Sequence, residues 1–207
     1  MMFGNRFPAT IILALLALAT TGATALGQKP PNKPDRGIIH ADYGPDPTSL
    51  EEMWRVSDLI VRGSVKTSSL QRSSASKRAV PTTRHHLQLL EILKDDTKSH
   101  KVNQAITLVQ MAGSLDIDGM QVTVDPGRMP ILAPKQEVLV FLRRVDGSQD
   151  FSLAYGPAGL YVLDDPTVTI PAEARPIRSL FQEKGAVPRN EFLTVVKQQA
   201  ARRGGGQ

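Results

Sequence analysis

The sequence predicts a mainly β domain, a small antiparallel barrel or sandwich with a short helix before it and one helix after it. Three observations carry this. Apolar residues recur with period two in several short runs from Leu59 onward, turn-forming residues separate those runs, and helical spacing is confined to one segment at each end. Cysteine is absent, so apolar burial rather than disulfides must hold the domain together.

The chain opens with one side-chain cation, Arg6, then the apolar run from Ile11 to Ala19, then small uncharged residues ending Ala23-Thr24-Ala25. This is the pattern of a secretory signal peptide, residues 1–25, cleaved after Ala25. The apolar stretch is too short and too broken by threonine for a stable membrane span, and the lack of cysteine rules out lipid anchoring at a new N-terminus. Cleavage would leave 207 − 25 = 182 residues with a charge of 24 − 20 = +4, because the segment removed holds one cation and no acid. That suits one domain, exported to the periplasm or beyond, with no membrane span after cleavage.

Residues 26–47 read as a proline-rich linker through Pro30, Pro31, Pro34, Pro45 and Pro47. Thr48 and Ser49, each three residues before a glutamate, then mark a helix start, and Leu50, Met53, Trp54 and Ser57 share one face. From Asp58 the period changes to two, giving a first strand through Val65. The serine-rich, basic stretch from Thr67 to Thr83 has no apolar face and is expected to be a long mobile loop. On that expectation, removing Ser69 to Val80 leaves the melting transition nearly unchanged.

A second strand runs from about Thr83 to Lys94. Its apolar phase slips between Leu89 and Leu90, which calls for a β-bulge there. Ala105–Met111 and Gln136–Val145 follow as strands, the latter apolar on both faces and so central. Phe151–Tyr155 and Leu160–Leu163 flank the turn Gly156-Pro157-Ala158-Gly159, and Val168–Ile170 adds a short edge. The domain therefore covers residues 48–171, with a linker over 172–189. A helix capped by Asn190 fills 190–203 through Phe192, Leu193, Val195 and Val196, and a disordered tail ends the chain at 204–207.

No catalytic or cofactor-binding set emerges. The twelve-residue stretch from Ser114 to Asp125 places Ser114, Asp116, Asp118 and Asp125 at calcium-loop positions with Gly119 at the sixth, but strand-like flanks favour a hairpin turning at Asp118-Gly119. His85 and His86 point to opposite faces of a strand and so do not share a metal ion; both read as exposed on a strand edge. His40 and His100 fall in expected loops. Ser74-Ala75-Ser76-Lys77 has the spacing of a serine-lysine dyad without the rigid helix that chemistry uses. The paired acids sit at caps and turns. Arg72, Lys77, Arg78 and Arg84 form a basic group suited to an anionic surface, and with no aromatic residue among them nucleic acid is not the expected partner.

The segment Trp54-Arg55-Val56-Ser57-Asp58-Leu59-Ile60-Val61-Arg62-Gly63-Ser64-Val65, with His86 to Lys94 and Gln136 to Leu142, resembles a group of uncharacterised bacterial exported proteins whose layout is similar to the OB-like barrel of netrin-type modules and tissue inhibitors of metalloproteinases. The resemblance spans residues 48–163. It implies an OB-like barrel with a binding habit, and the absence of the N-terminal cysteine removes those inhibitors' metal-chelating mechanism. The reading is an exported noncatalytic binding module for a protein or glycan at the cell envelope, without a cofactor. A hydrolase with a dispersed site, in which one histidine meets a serine or carboxylate, and a structural envelope factor are the alternatives.

Overall fold

The computed structural model describes residues 36–41, 43–73 and 80–204. The expected signal peptide, the first part of the proline-rich linker, the Ser74 to Lys77 motif with Arg78, and residues 205–207 lie outside them.

The short helix α1 is Leu50–Val56. The oxygen of Ser49 caps it by accepting the Glu52 N–H (3.0 Å), while the Glu52 carboxylate accepts the backbone N–H and hydroxyl of Thr48. Both expected caps are thus used reciprocally, as in a capping box displaced by one residue. Met53 and Trp54 face inward.

Eleven strands and two further helices can be named in chain order around it: β1 Arg36–His40, β2 Leu59–Ser73, β3 Val80–Asp95, β4 Ala105–Gln110, β5 Gly113–Ile117, β6 Met120–Asp125, β7 Glu137–Arg144, β8 Phe151–Leu153, β9 Leu160–Val162, β10 Thr167–Thr169, α2 Arg175–Ser179, β11 Ala186–Pro188 and α3 Arg189–Gly204. Strands β2-β3-β4-β8-β7 neighbour one another in that order and β7 pairs back onto β2, so five strands form a nearly closed ring. Its weakest seam is β4 to β8, which share the single parallel rung Leu108–Phe151. With β1 also parallel to β6, the sheets are mixed, not purely antiparallel as the sequence suggests.

The ring explains why β7 is apolar on both faces. Val138, Val140 and Leu142 point into the ring with Leu59, Val61, Val65, Leu87, Leu89 and Leu108. Leu139 and Phe141 point outward into a second core built with α1, α3 and the β10–β11 ribbon. Aromatic rings run through that outer core, from Trp54 to Phe141 (5.6 Å between centroids), Tyr161, Phe192 and Phe181. Glu137 ties helix to ring, accepting Arg62 from β2 (2.5 Å) and Arg189 from α3 (2.8 Å). Burial alone would raise the Glu137 carboxyl, but these two guanidinium groups outweigh it and hold it below the usual carboxylate range.

The expected bulge is present and has companions. Arg62 faces Glu91 while Gly63 faces Leu89, so Leu90 is left over; Ile60 faces Lys94 while Val61 faces Ile92, so Leu93 is too; Lys66 is the extra residue on β2. These irregularities bend the long hairpin into the ring.

Segments expected to be loop or linker carry regular structure. The loop expected from Thr67 to Thr83 is strand on both sides, with rungs running from Thr67–His86 to Ser73–Val80. The β2 arm is largely exposed and held by backbone pairing, while Pro81, Thr82 and Thr83 on the β3 arm are buried. The linkers at 26–47 and 172–189 contain β1, and α2 with β11, respectively. Removal of Ser69 to Val80 therefore deletes five rungs and Leu70, whose Cδ1 occupies the space beside Gly113. The melting temperature is expected to fall by about 5 °C, measurable by circular dichroism, in place of the near-zero change the loop reading gives.

Candidate functional site

The two arms of the β2–β3 hairpin and the turn from Val145 to Asp150 enclose a groove of about 370 Å³ on the β3–β4 face. Antiparallel register sets one wall, because Arg72 lies opposite Pro81, Gln71 opposite Thr82, and Arg84 opposite Val109. The other wall is a tight turn: Val145 N–H donates to Asp150 O (2.9 Å), Ser148 N–H to Val145 O (3.0 Å), and Gly147 takes φ +68°. Arg84 crosses the floor to Asp150 (2.5 Å), in a pair exposed by 32% and 16% of their side-chain surfaces. Arg72 reaches Asp118 at 3.6 Å on the rim, where both side chains are largely exposed.

Two of the four cations read from the sequence, Arg72 and Arg84, thus line one groove; Lys77 and Arg78 lie outside the described residues. Among the described lining residues these two cations stand beside two carboxylates, Asp146 and Asp150. With Gln71, Ser73, Thr82 and Ser148, they present donors and acceptors of both kinds to a polar ligand. The turn residues were missed in the sequence, although Asp146-Gly147 is a turn signal there.

A buried polar layer lies on the inner side of the same strands. His85, opposite Ser68 on β2, is fully buried, which corrects its reading as an exposed edge histidine. Gln110 Nε2 donates to Pro130 O (3.0 Å), which turns Gln110 Oε1 toward His85 Nε2 at 2.9 Å. Since that oxygen only accepts, Nε2 carries the proton and Nδ1 accepts the Ser68 hydroxyl at 2.8 Å. Burial pushes the His85 pKa down, against the smaller raising effect of the Gln110 bond. His86 faces outward and meets Thr107 at 3.2 Å.

Asp95 and His100 form another buried pair (3.1 Å). Burial would raise the Asp95 pKa, but bonds from Thr97 and from the His100 backbone and ring hold it down to about 2. A carboxylate depressed in the fold contributes stability above the unfolded value, lost as pH falls toward 2. Asp95→Asn is expected to be destabilised at pH 7, with the gap to wild type narrowing as urea titrations move toward pH 2; an unchanged gap would refute this.

The calcium-loop candidates do not converge. They lie along the expected hairpin, which turns at Asp118 (φ 55°) and Gly119 (φ 82°). Ser114 bonds Thr123, Asp116 accepts Gly119 N–H, Asp118 pairs with Arg72, and Asp125 accepts Gly127 N–H. Among the described residues no three such side chains gather as a metal site. His40 belongs to β1 and faces Asp125.

No protein-family model matches the chain, and no curated protein matches it in sequence. The groove and the histidine layer must be judged by their own chemistry.

Proposed function

We propose that this chain is an exported, noncatalytic binding module whose five-strand ring is an OB-like barrel, and that it takes a protein or glycan partner at the cell envelope in the groove over β3 and β4. The observation that carries the reading is the position of that groove. In ring order the strands are first, second, third, fifth and fourth, and OB-like barrels bind ligands over strands two and three, between the loops joining strands one to two and four to five. Here those places are β3–β4, the β2–β3 hairpin and the Val145–Asp150 turn, whose residues are the lining of the groove. The balanced charges of the described lining suit a polar ligand such as a glycan or a peptide segment.

A hydrolytic reading has two histidine contacts in its favour, the Ser68 hydroxyl on a His85 nitrogen and the Asp95–His100 pair. Catalysis would require His85 to become an imidazolium in a fully buried position, beside an amide and not a carboxylate. Desolvation opposes that charge, so the layer is read as structural.

Affinity capture from an envelope fraction tests the binding reading. The exported chain is expected to retain a partner that the double variant Arg72→Glu, Asp146→Lys releases, with both proteins melting alike. Equal retention by both, or retention by neither, would overturn it. Labelling of Ser68 by a fluorophosphonate would instead favour the hydrolase.

A further inference from the structure

A second groove, of about 450 Å³, lies between β9 and β10, and its apolar lining includes Leu160, Val162, Ile170 and Pro130. Strand edges border it. In an antiparallel pair only alternate residues turn their backbone groups toward the partner. Leu163 N–H donates to Glu137 O (2.7 Å), which sets the phase of β9: Tyr161 bonds β7, and Leu160 and Val162 turn their backbone away. Ile170 N–H donates to Gly185 O (2.8 Å) and Arg189 N–H to Pro166 O (2.8 Å), so Val168 bonds β11 while Thr167 and Thr169 turn theirs outward.

The four outward-turned residues are the ones that line the groove. The Leu160 N–H is already taken by Pro157 O. No strand is hydrogen-bonded to the outer edge of β10 among the described residues. Its N–H and C=O groups at Thr167 and Thr169 are therefore open to a new strand.

Charge is placed unevenly along the groove. Asp165, in the connection between the two strands, lines it without an ion-pair partner among the described residues, whereas Glu173 is neutralised by Arg128 at 2.8 Å. The uncompensated charge is thus negative, in a chain whose formal net charge is +5.

We propose that this groove takes an extended peptide segment of a partner protein by strand addition to the β10 edge. The segment's apolar side chains would rest on Pro130, Val162 and Pro171, above the buried Leu160 and Ile170, and its lysine or arginine would lie beside Asp165. Backbone bonds supply affinity in this mode and side-chain pockets supply selectivity. The site is separate from the groove over β3 and β4, so either stands if the other fails.

The test titrates the exported protein against a fluorescent hexapeptide, Lys-Val-Thr-Val-Thr-Val, read by anisotropy. Saturable binding is expected, weakened about threefold when glutamate replaces the peptide's lysine. Methylating alternate peptide nitrogens, in both phases, should abolish binding in the phase that faces β10. Asp165→Asn should erase the preference for lysine. Thr169→Pro removes an outward N–H without touching the β11 ladder, so it should weaken binding about tenfold while the melting temperature holds. The proposal is overturned if the lysine peptide does not saturate, if both methylated peptides bind as tightly as the parent, or if Asp165→Asn keeps the preference.

Discussion

His85→Ala is expected to lower the unfolding free energy by about 3 kcal/mol at pH 7, from a cavity plus the loss of partners to Ser68 and Gln110. The imidazole is fully buried, and both of its nitrogens are bonded to side chains of neighbouring strands. Gln110 would then have its carbonyl oxygen buried without a donor while its amide stays fixed to Pro130. His85→Gln, which restores some polar contact, should lose less.

The pH dependence separates this layer from a generic packing defect. Burial lowers the folded pKa of His85 below its ordinary value, so the unfolded chain takes up the proton first. The stability held by the neutral ring is complete above about pH 6.5 and is lost as pH falls from there toward the folded pKa. Urea titrations from pH 7.5 to 5 should show wild-type stability falling more steeply than that of His85→Gln. Parallel profiles would mean that the imidazole is not held neutral.

Much of the ring was legible in the sequence through alternation in its strands and, in β7, through a continuous apolar run buried on both faces. The slip from Leu89 to Leu90 located a bulge, and Asp118-Gly119 located a hairpin turn, each through a local rule. The polar arms of β2 and β3 were not legible, since Thr67 to Ser73 is largely exposed and held by its ladder to the other arm. For the same reason β1 was hidden in a linker: four of its five residues are exposed, and it exists through its rungs to β6.

The candidate groove was half visible. Arg72 and Arg84 stood out as cations, but pairing Arg84 with Asp150 joins residues 66 apart and depends on ring closure. His85 was misjudged because a polar residue in strand phase suggests an exposed edge, whereas here the apolar interior gives way to a hydrogen-bonded layer continuous with it.

Gly63→Val should cost about 3 kcal/mol, and Gly63→Ala about 1 kcal/mol. Gly63 lies in the middle of β2, between Leu89 on β3 and Val138 on β7, so backbone approaches it from both sides. A Cβ built there would sit 3.1 Å from the carbonyl oxygen of Gln88 and 3.7 Å from Leu87 Cβ. The demand is spatial: Gly63 is not among the positive-φ residues, so the backbone conformation itself suits any side chain. The bulge at Leu90 brings the Gln88 carbonyl toward β2, and this neighbour is main chain held in a ladder with little freedom to retreat. Valine adds two methyl groups to that approach and would have to push β2 off β3 or β7. Thermal melts should order the proteins wild type, Gly63→Ala, Gly63→Val. A valine variant melting with wild type would show that the two strands are not packed as closely as this register requires.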